Sequence, residues 1–486
     1  MTGAALMLCV VLLPVAGAAA SLMVPEGAMA ATALLEVAIL GVALALLALA
    51  VQGPAIDVFD HWLRLDGLSG VVLLVVAIVS VLAAVYSAAY MRHELHEGVV
   101  RGSEVRRYFA VLHLFVFTMV AVTVAGNLGL LWTAISATTL ASAPLVYFYG
   151  SREPLEAAWK YLVLTVAGSL IALLGFLILY QAGVGPLGAT YNFSVAVVAG
   201  AAAHLSPLLA GAAFLLVLVG FGTKAGLAPM HAWLPDAHSQ APSPVCAMLS
   251  GAELNCALLG IFRVYALAAP AAGGAMLRTG LVVFGVASML VGIVFLISQR
   301  DFKRLLAYSS IEQMGLISLG VGLGTPVALL GALLLIVAHG LSKSLLFFAT
   351  GNLLLRFRTT AIGEVHGVIR AMPWTAILLI GGALAIAGAP PFGVFIADLS
   401  IVSGAFAGHL WALGALTGVL MVTAFVPLVL PFHSMTFSPG ARASGEVGAL
   451  ALAPAFALLG AVLVLGVWVP GPLEQLLHSA MTVLPR

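Results

Sequence analysis

Charge is what this chain lacks most. Of its 486 residues only 8% are Asp, Glu, Lys or Arg, while 63% are hydrophobic. A soluble domain carries about 25% charged residues, and so little charge could not cover the surface of a soluble protein this large. A lipid-facing surface needs none, which places the chain in a membrane. The few charges nearly cancel, leaving a net +1, so no nucleic acid or other polyanion is an expected partner. Cysteine is scarce too: Cys9, Cys246 and Cys256 stand in apolar runs without metal-ligand spacing, which argues against a disulfide framework or an iron–sulfur site. No Gly-rich phosphate loop follows a strand pattern, and the 52 glycines are scattered as helix-packing residues are. No cofactor and no metal is expected within this chain. No Lys or Arg precedes the first apolar run, as one should in a secretory signal, so that run reads as a retained helix despite the Ala-rich stretch ending at Met29-Ala30.

Long apolar runs are what the chain has instead. A spanning helix needs about 20 apolar residues. On that ruler helices fall near 3–23, 29–51, 67–91, 108–126, 128–149, 158–182, 207–229, 242–268, 277–298, 304–322, 326–354, 371–407, 410–435 and 449–471. The expected fold is an all-α polytopic membrane protein of about fourteen transmembrane helices. The seventh runs into Pro229 and the polar stretch His231 to His238. The twelfth is too long for one span and is interrupted by Gly388-Ala389-Pro390-Pro391-Phe392-Gly393, where two prolines remove backbone donors. Two broken helices, one in each half, are the pattern of an inverted repeat around a mid-membrane site. The expected divisions are helices one to three over 1–107, a first repeat of helices four to eight over 108–268, a second of helices nine to thirteen over 277–435, and a last helix at 449–471. Loops after odd-numbered helices hold thirteen Lys and Arg (Arg92 to Arg442), against four on the other side: Arg64, Arg263, Arg278 and Arg486. By the positive-inside rule the odd loops are cytoplasmic and both termini face outward.

Within the spans remain Glu36, Lys224, Glu253, His339, Lys343 and Asp398, with Glu312 near a helix start. A charge at mid-bilayer costs about 2.5–3.5 kcal/mol even on the lenient insertion scale, so it is seldom kept without a use. Lys224 lies five residues before Pro229, where a lysine beside unwound backbone can exchange a proton; the plainer reading is a helix-end lysine snorkelling to the interface. His339 and Lys343 are spaced i, i+4 on one helix face and suit a proton relay; otherwise the histidine bonds a carbonyl and the lysine pairs with an acid. Asp398, two turns past the Pro390-Pro391 break, should be protonated or face water and a cation, or else bond loosened backbone. Glu253 and Asn255 are polar sites on the eighth helix, and Glu253 is a candidate partner for Lys224 or Lys343. Glu36 has few polar neighbours and reads as structural or peripheral. His231 and His238, with only Asp236 between them, are weak as metal ligands and read better as part of a rigid turn.

These motifs resemble the antiporter-like membrane subunits shared by respiratory complex I, membrane-bound hydrogenases and multisubunit cation/proton antiporters. The resemblance rests on Thr223-Lys224-Ala225-Gly226 running into His231–Ala241, on Asp301-Phe302-Lys303-Arg304-Leu305-Leu306-Ala307-Tyr308-Ser309-Ser310, on His339–Lys343 and on Gly388–Gly393. Within that group Ala137-Thr138-Thr139-Leu140, Glu156-Ala157-Ala158-Trp159-Lys160-Tyr161 and Ser309-Ser310-Ile311-Glu312 resemble component F of hydrogenase-4-type, formate-hydrogenlyase-like complexes. The resemblance implies discontinuous seventh and twelfth helices, an inverted repeat and proton passage along buried lysines, histidines and acids. It also implies other membrane subunits and a peripheral iron–sulfur redox arm as partners, in a bacterial or archaeal cytoplasmic membrane. Carried over by position, Lys224 matches the central lysine of the seventh helix, His339 and Lys343 the histidine and lysine of the eleventh, and Asp398 a terminal acid. Asn255 stands where complex I subunits have lysine, and Gln313 where a histidine is expected after Glu312. The fifth helix of the family carries a glutamate that pairs with the seventh-helix lysine, and here that position is Ser136. Glu253 is expected to substitute for it.

Three readings follow: a proton-translocating subunit of a redox-driven complex; a secondary transporter, either a cation/proton antiporter subunit or part of an inorganic-carbon uptake system; and a structural subunit that has lost pumping with its fifth-helix acid. An enzyme active site within the chain itself is not expected.

Overall fold

The computed structural model describes residues 3–23, 29–52, 55–440 and 445–485. Arg442 and Arg486, used above to weigh the two faces, lie outside the described residues. The elements are α1 (Gly3–Met23), α2 (Met29–Gln52), β1 (Ile56–Val58), β2 (Leu63–Leu65), α3 (Gly67–His96), α4 (Gly102–Val124), α5 (Leu128–Val146), α6 (Arg152–Leu187) and α7 (Pro207–Ala225). A short bridge helix (Trp233–Gln240) leads to α8 (Ser243–Ala272), α9 (Gly274–Ser298), α10 (Phe302–Leu323), α11 (Pro326–Phe357), α12 (Pro373–Ile386), α13 (Gly393–Ala407), α14 (Trp411–Phe437), α15 (Ala449–Val467) and α16 (Gly471–Val483).

Among the described residues twelve helices are long and apolar enough to cross a membrane. Helix α10 is 22 residues long and is less apolar, with Tyr308, Ser309, Ser310, Glu312, Gln313 and Ser318 along it. Taking α10 as one crossing and α12 with α13 as one interrupted crossing accounts for the expected fourteen helices. Several helices extend past the apolar runs, as α6 does from Arg152 to Leu187. The apolar ruler measures hydrocarbon thickness, whereas the backbone keeps its hydrogen-bond ladder into the polar interface. Two features add to the expected plan. The first is an antiparallel hairpin pairing Ile56 with Leu65; the second is the amphipathic α16, which packs against α3. Glu312, expected near a helix start, lies ten residues into α10 and is buried.

The two breaks are built alike. At the end of α7, Gly226 takes φ 75° and the Leu227 N–H donates to the Gly222 carbonyl at 2.8 Å. After α12, Gly388 takes φ 71° and the Ala389 N–H donates to the Leu384 carbonyl at 3.0 Å. Each is a left-handed glycine cap with a bond spanning six residues, which satisfies the last carbonyls of a helix ended inside a membrane.

Helices α8 and α11 form the centre, buried throughout the apolar windows that would span a membrane. They touch through backbone: a Cβ on Gly251 would lie 2.8 Å from the Gly340 carbonyl oxygen. Two buried polar pairs fasten the rest. Arg263, expected in a loop, is instead buried on α8 and grips Asp66 and Ser69 at the start of α3, with contacts of 2.6 to 2.9 Å. Burial pushes the Asp66 carboxyl up, but the Arg263 charge and its hydrogen bonds outweigh that and hold it at about 2. Glu36 on α2 meets His113 on α4 at 2.6 Å, both wholly buried, beneath Gly17 of α1.

Candidate functional site

Lys224 sits in the last turn of α7, placed there by the cap at Gly226. Its side chain is buried and its Nζ lies 2.8 Å from Glu253 Oε1. Glu253 closes a π-helical turn, Leu249–Glu253, inserted in α8. Such a turn adds one residue to a helical winding and redirects the side chains that follow; these turns recur at functional sites. The helix that carries Glu253 is straddled by the two halves of the bundle, so the acid reaches Lys224 from the centre.

Helices α5 and α6 surround the pair with hydroxyls. Lys224 Nζ donates to Thr139 Oγ1 at 2.5 Å, and Thr139 donates in turn to Thr165 at 3.2 Å. Thr138 and Tyr161 donate to the same Glu253 oxygen at 2.8 and 2.9 Å. Ser142 bonds the Tyr161 hydroxyl at 2.6 Å, and the Lys224 charge lies 5.7 Å from the Tyr161 ring centroid. Three donors thus converge on one carboxylate oxygen, while Glu253 Oε2 is buried without a hydrogen-bond partner among the described residues. Taking two charges out of water costs several kcal/mol per ion unless geometry and extra hydrogen bonds repay it, and this arrangement supplies both on one side.

Ser136, the position where the family acid is missing, faces elsewhere. Its hydroxyl donates to the Trp132 carbonyl at 2.8 Å and bonds Ser169 of α6. The carboxylate that meets Lys224 is Glu253, on α8.

The second half differs. Lys343 Nζ donates to the Leu306 carbonyl at 2.7 Å and to the Ser309 hydroxyl, both on α10. It makes no ion pair among the described residues. Glu312, on the same helix, is within electrostatic reach of Lys343 and also of Asp398, and takes a hydrogen bond from Gln313 at 3.0 Å. His339 is wholly buried; the Ser250 carbonyl faces it, but neither ring nitrogen makes a hydrogen bond of normal geometry among the described residues. Asp398 Oδ1 is also buried without a partner among the described residues, and Asp398 lines a cavity of 340 Å³ beside Gly388, Met421 and Phe425. Ser250, in the π turn, bonds Ser310 at 2.8 Å, next to the hydroxyl that holds Lys343. Asn255 donates to the Gly251 carbonyl at 2.8 Å and so braces that turn. Polar groups therefore run from Lys224 and Glu253 through the π turn to Lys343, Glu312 and Asp398.

The two bridge-region histidines part company. His231 packs beside Phe295 and Tyr308. His238 is buried, bonds the Leu234 carbonyl at 2.9 Å, stacks near Phe347 and lies within electrostatic reach of Lys343. Among the described residues no group of three or more His, Cys, Asp and Glu is placed to hold a metal ion. The π turn and the Tyr161 hydroxyl were not foreseen from sequence; the dense Thr138, Thr139, Ser142 and Tyr161 pattern was the available signal for the second.

Residues 125–424 match the family described as NADH:quinone oxidoreductase/Mrp antiporter, transmembrane, and residues 58–101 match the N-terminal region of complex I chain 5. The chain belongs to this family of antiporter-like membrane subunits. It is 36% identical over 414 residues to a hydrogenase-4 component F homolog of Methylacidiphilum infernorum, covering 83% of this chain and 85% of that protein. It is 31% identical over 399 residues to NADH-quinone oxidoreductase subunit N of Desulforudis audaxviator, covering 79% and 75%. A chain of respiratory complex I from Thermus thermophilus with bound NADH superposes with a TM-score of 0.82 at 26% identity, covering 99% of this chain and all of that one. The fold, the membrane setting and the antiporter-like character follow from these matches.

Proposed function

We propose that this chain is a proton-translocating subunit of a redox-driven membrane complex of the hydrogenase-4 and complex I kind. The observation that carries the reading is the buried Lys224–Glu253 ion pair at the first helix break. A buried lysine whose counter-charge is a carboxylate 2.8 Å away has two protonation arrangements, a charged pair and a neutral one. A change of field or hydration shifts it between them. Released protons pass by way of Lys343 and His339, whose unpartnered nitrogens require water to hydrogen-bond them, to Glu312 and Asp398 at the second break. Moving each proton against 100 mV takes about 2.3 kcal/mol, which must come from redox chemistry in partner subunits. In this reading those partners are further membrane subunits and a peripheral iron–sulfur arm. The membrane is the bacterial or archaeal cytoplasmic membrane, with the Arg-rich loops inside and both termini outside. The repeats over 108–268 and 277–435 supply one broken helix each.

The test is to purify the tagged chain with its complex, identify the co-purifying subunits, and measure driven proton uptake in inverted vesicles. Subunits with cysteine clusters, and loss of uptake in Lys224→Ala with assembly intact, are the expected outcome. A set of small antiporter subunits would favour the secondary transporter, and unchanged uptake in Lys224→Ala would leave a structural subunit.

A further inference from the structure

Tyr161 and Trp233 stand beside the Lys224–Glu253 pair, one bonded to Glu253 and the other to the Thr223 carbonyl. Both rings are buried, with centroids 4.6 Å apart. The Trp233 indole N–H donates to the Thr223 carbonyl at 2.7 Å, fixing the ring against the capped end of α7. On its inner side Tyr161 donates to Glu253 at 2.9 Å. On its outer side, one helical turn away, Ala157 lines a polar surface cavity of 140 Å³. Asp236, one turn along from Trp233, lines the same cavity with Glu156, Lys160, Ser239 and Arg304. Asp236 is itself clamped by Arg304 at 2.6 Å and Lys160 at 3.2 Å, which holds the bridge helix against α6 and α10. Solvent therefore comes within about one helical turn, 5.4 Å of rise along the backbone, of the residue whose hydroxyl is bonded to the buried acid.

We propose that Tyr161 and Trp233 are the gate through which protons reach Glu253 from that cavity, with the Tyr161 hydroxyl as the last donor. This rests on the reading of Lys224 and Glu253 given above. When the indole moves aside, Tyr161 gives its proton to Glu253 Oε1 and takes another from a water admitted through the cavity, which bulk solvent reprotonates in turn. The phenol ends as it began, and no electron is transferred. The plainer view, that the two rings only fill space, gives the hydroxyl no part in transport and the indole none in access.

Cys256, three residues after Glu253, is wholly buried and within electrostatic reach of both charges. It reports whether water can reach the pair without requiring that anything be pumped. In a Cys9→Ala, Cys246→Ala background, the assembled complex in membranes is treated with a charged, impermeant methanethiosulfonate reagent. Trp233→Ala is expected to raise Cys256 labelling at least about tenfold, from the Arg-rich face only, because opening and not thiol chemistry limits a buried cysteine. Tyr161→Phe keeps the ring and its packing, so it is expected to assemble, to label like the parent, and to lower driven proton uptake about tenfold. That is less than the hundredfold typical of losing a positioned acid, since a water can occupy the vacated space. Unchanged labelling in Trp233→Ala, labelling from both faces alike, or full uptake in Tyr161→Phe would overturn the gate. Full uptake in Lys224→Ala would instead overturn the underlying reading and leave the labelling result standing.

Discussion

Two buried lysines of this chain, Lys224 and Lys343, are held in opposite ways. Lys224 has a carboxylate at 2.8 Å and a shell of threonine and tyrosine hydroxyls. Lys343 has a carbonyl and a serine, with Glu312 acting only from a distance and His339 making no hydrogen bond of its own. The first site is tied into the bundle by four helices, and removing a member should damage fold and function together. At the second, His339 and Asp398 carry buried polar atoms without partners among the described residues, so removing them should cost the fold little. What separates the two sites is the ion pair, which Lys224 makes with Glu253 and Lys343 makes with no carboxylate among the described residues.

The largest test of that contrast is Glu253→Ala. It leaves Lys224 buried and unpaired, and thermal unfolding of the solubilised complex should show a loss of about 3–5 kcal/mol. A loss under about 1 kcal/mol would mean water already pairs the lysine. Next comes Asp66, a buried carboxylate with full partners outside the membrane spans, which serves as a yardstick. Its folded value of about 2 lies below the ordinary 3.8, so its stabilisation is complete above the ordinary value and vanishes as pH falls through 2. The loss should amount to about 2 kcal/mol and should be absent in Asp66→Asn, read as the pH dependence of the unfolding temperature between pH 5 and the acid limit. For the second site, His339→Leu should change stability by no more than about 1 kcal/mol, because no hydrogen bond is lost, yet should depress proton uptake. A variant equally crippled in stability would erase the distinction between the halves. The smallest effect is expected at Glu36→Gln, where an amide can still bond His113: a shift within about 1 kcal/mol and normal proton uptake.

Much of this was legible in the residues. The absence of charge implied the membrane, Pro229 and Pro390-Pro391 marked both breaks, and isolated charges in apolar runs marked Lys224, His339, Lys343 and Asp398. Glu253 could be suspected because Ser136 left a lysine without its acid. What could not be read was how Glu253 reaches Lys224. A π turn inserts a residue without changing composition, so the angular position of everything after Leu249 is invisible to a periodicity argument. The same limit hid the partner of Glu36: His113 lies 77 positions along the chain, and only packing brings α2 and α4 together. Helix α16 was overlooked because half of an amphipathic helix is polar, and a ruler for lipid-facing runs passes over it.

The central claim is that an acid delivered by α8 does the work of the absent α5 acid, and driven proton uptake in Glu253→Gln vesicles tests it most directly. Glutamine fills the same space and can keep hydrogen bonds but carries no charge and shuttles no proton. The co-purifying subunits should stay assembled while uptake falls to the level of Lys224→Ala; uptake at the parent rate would mean that Glu253 does no such work.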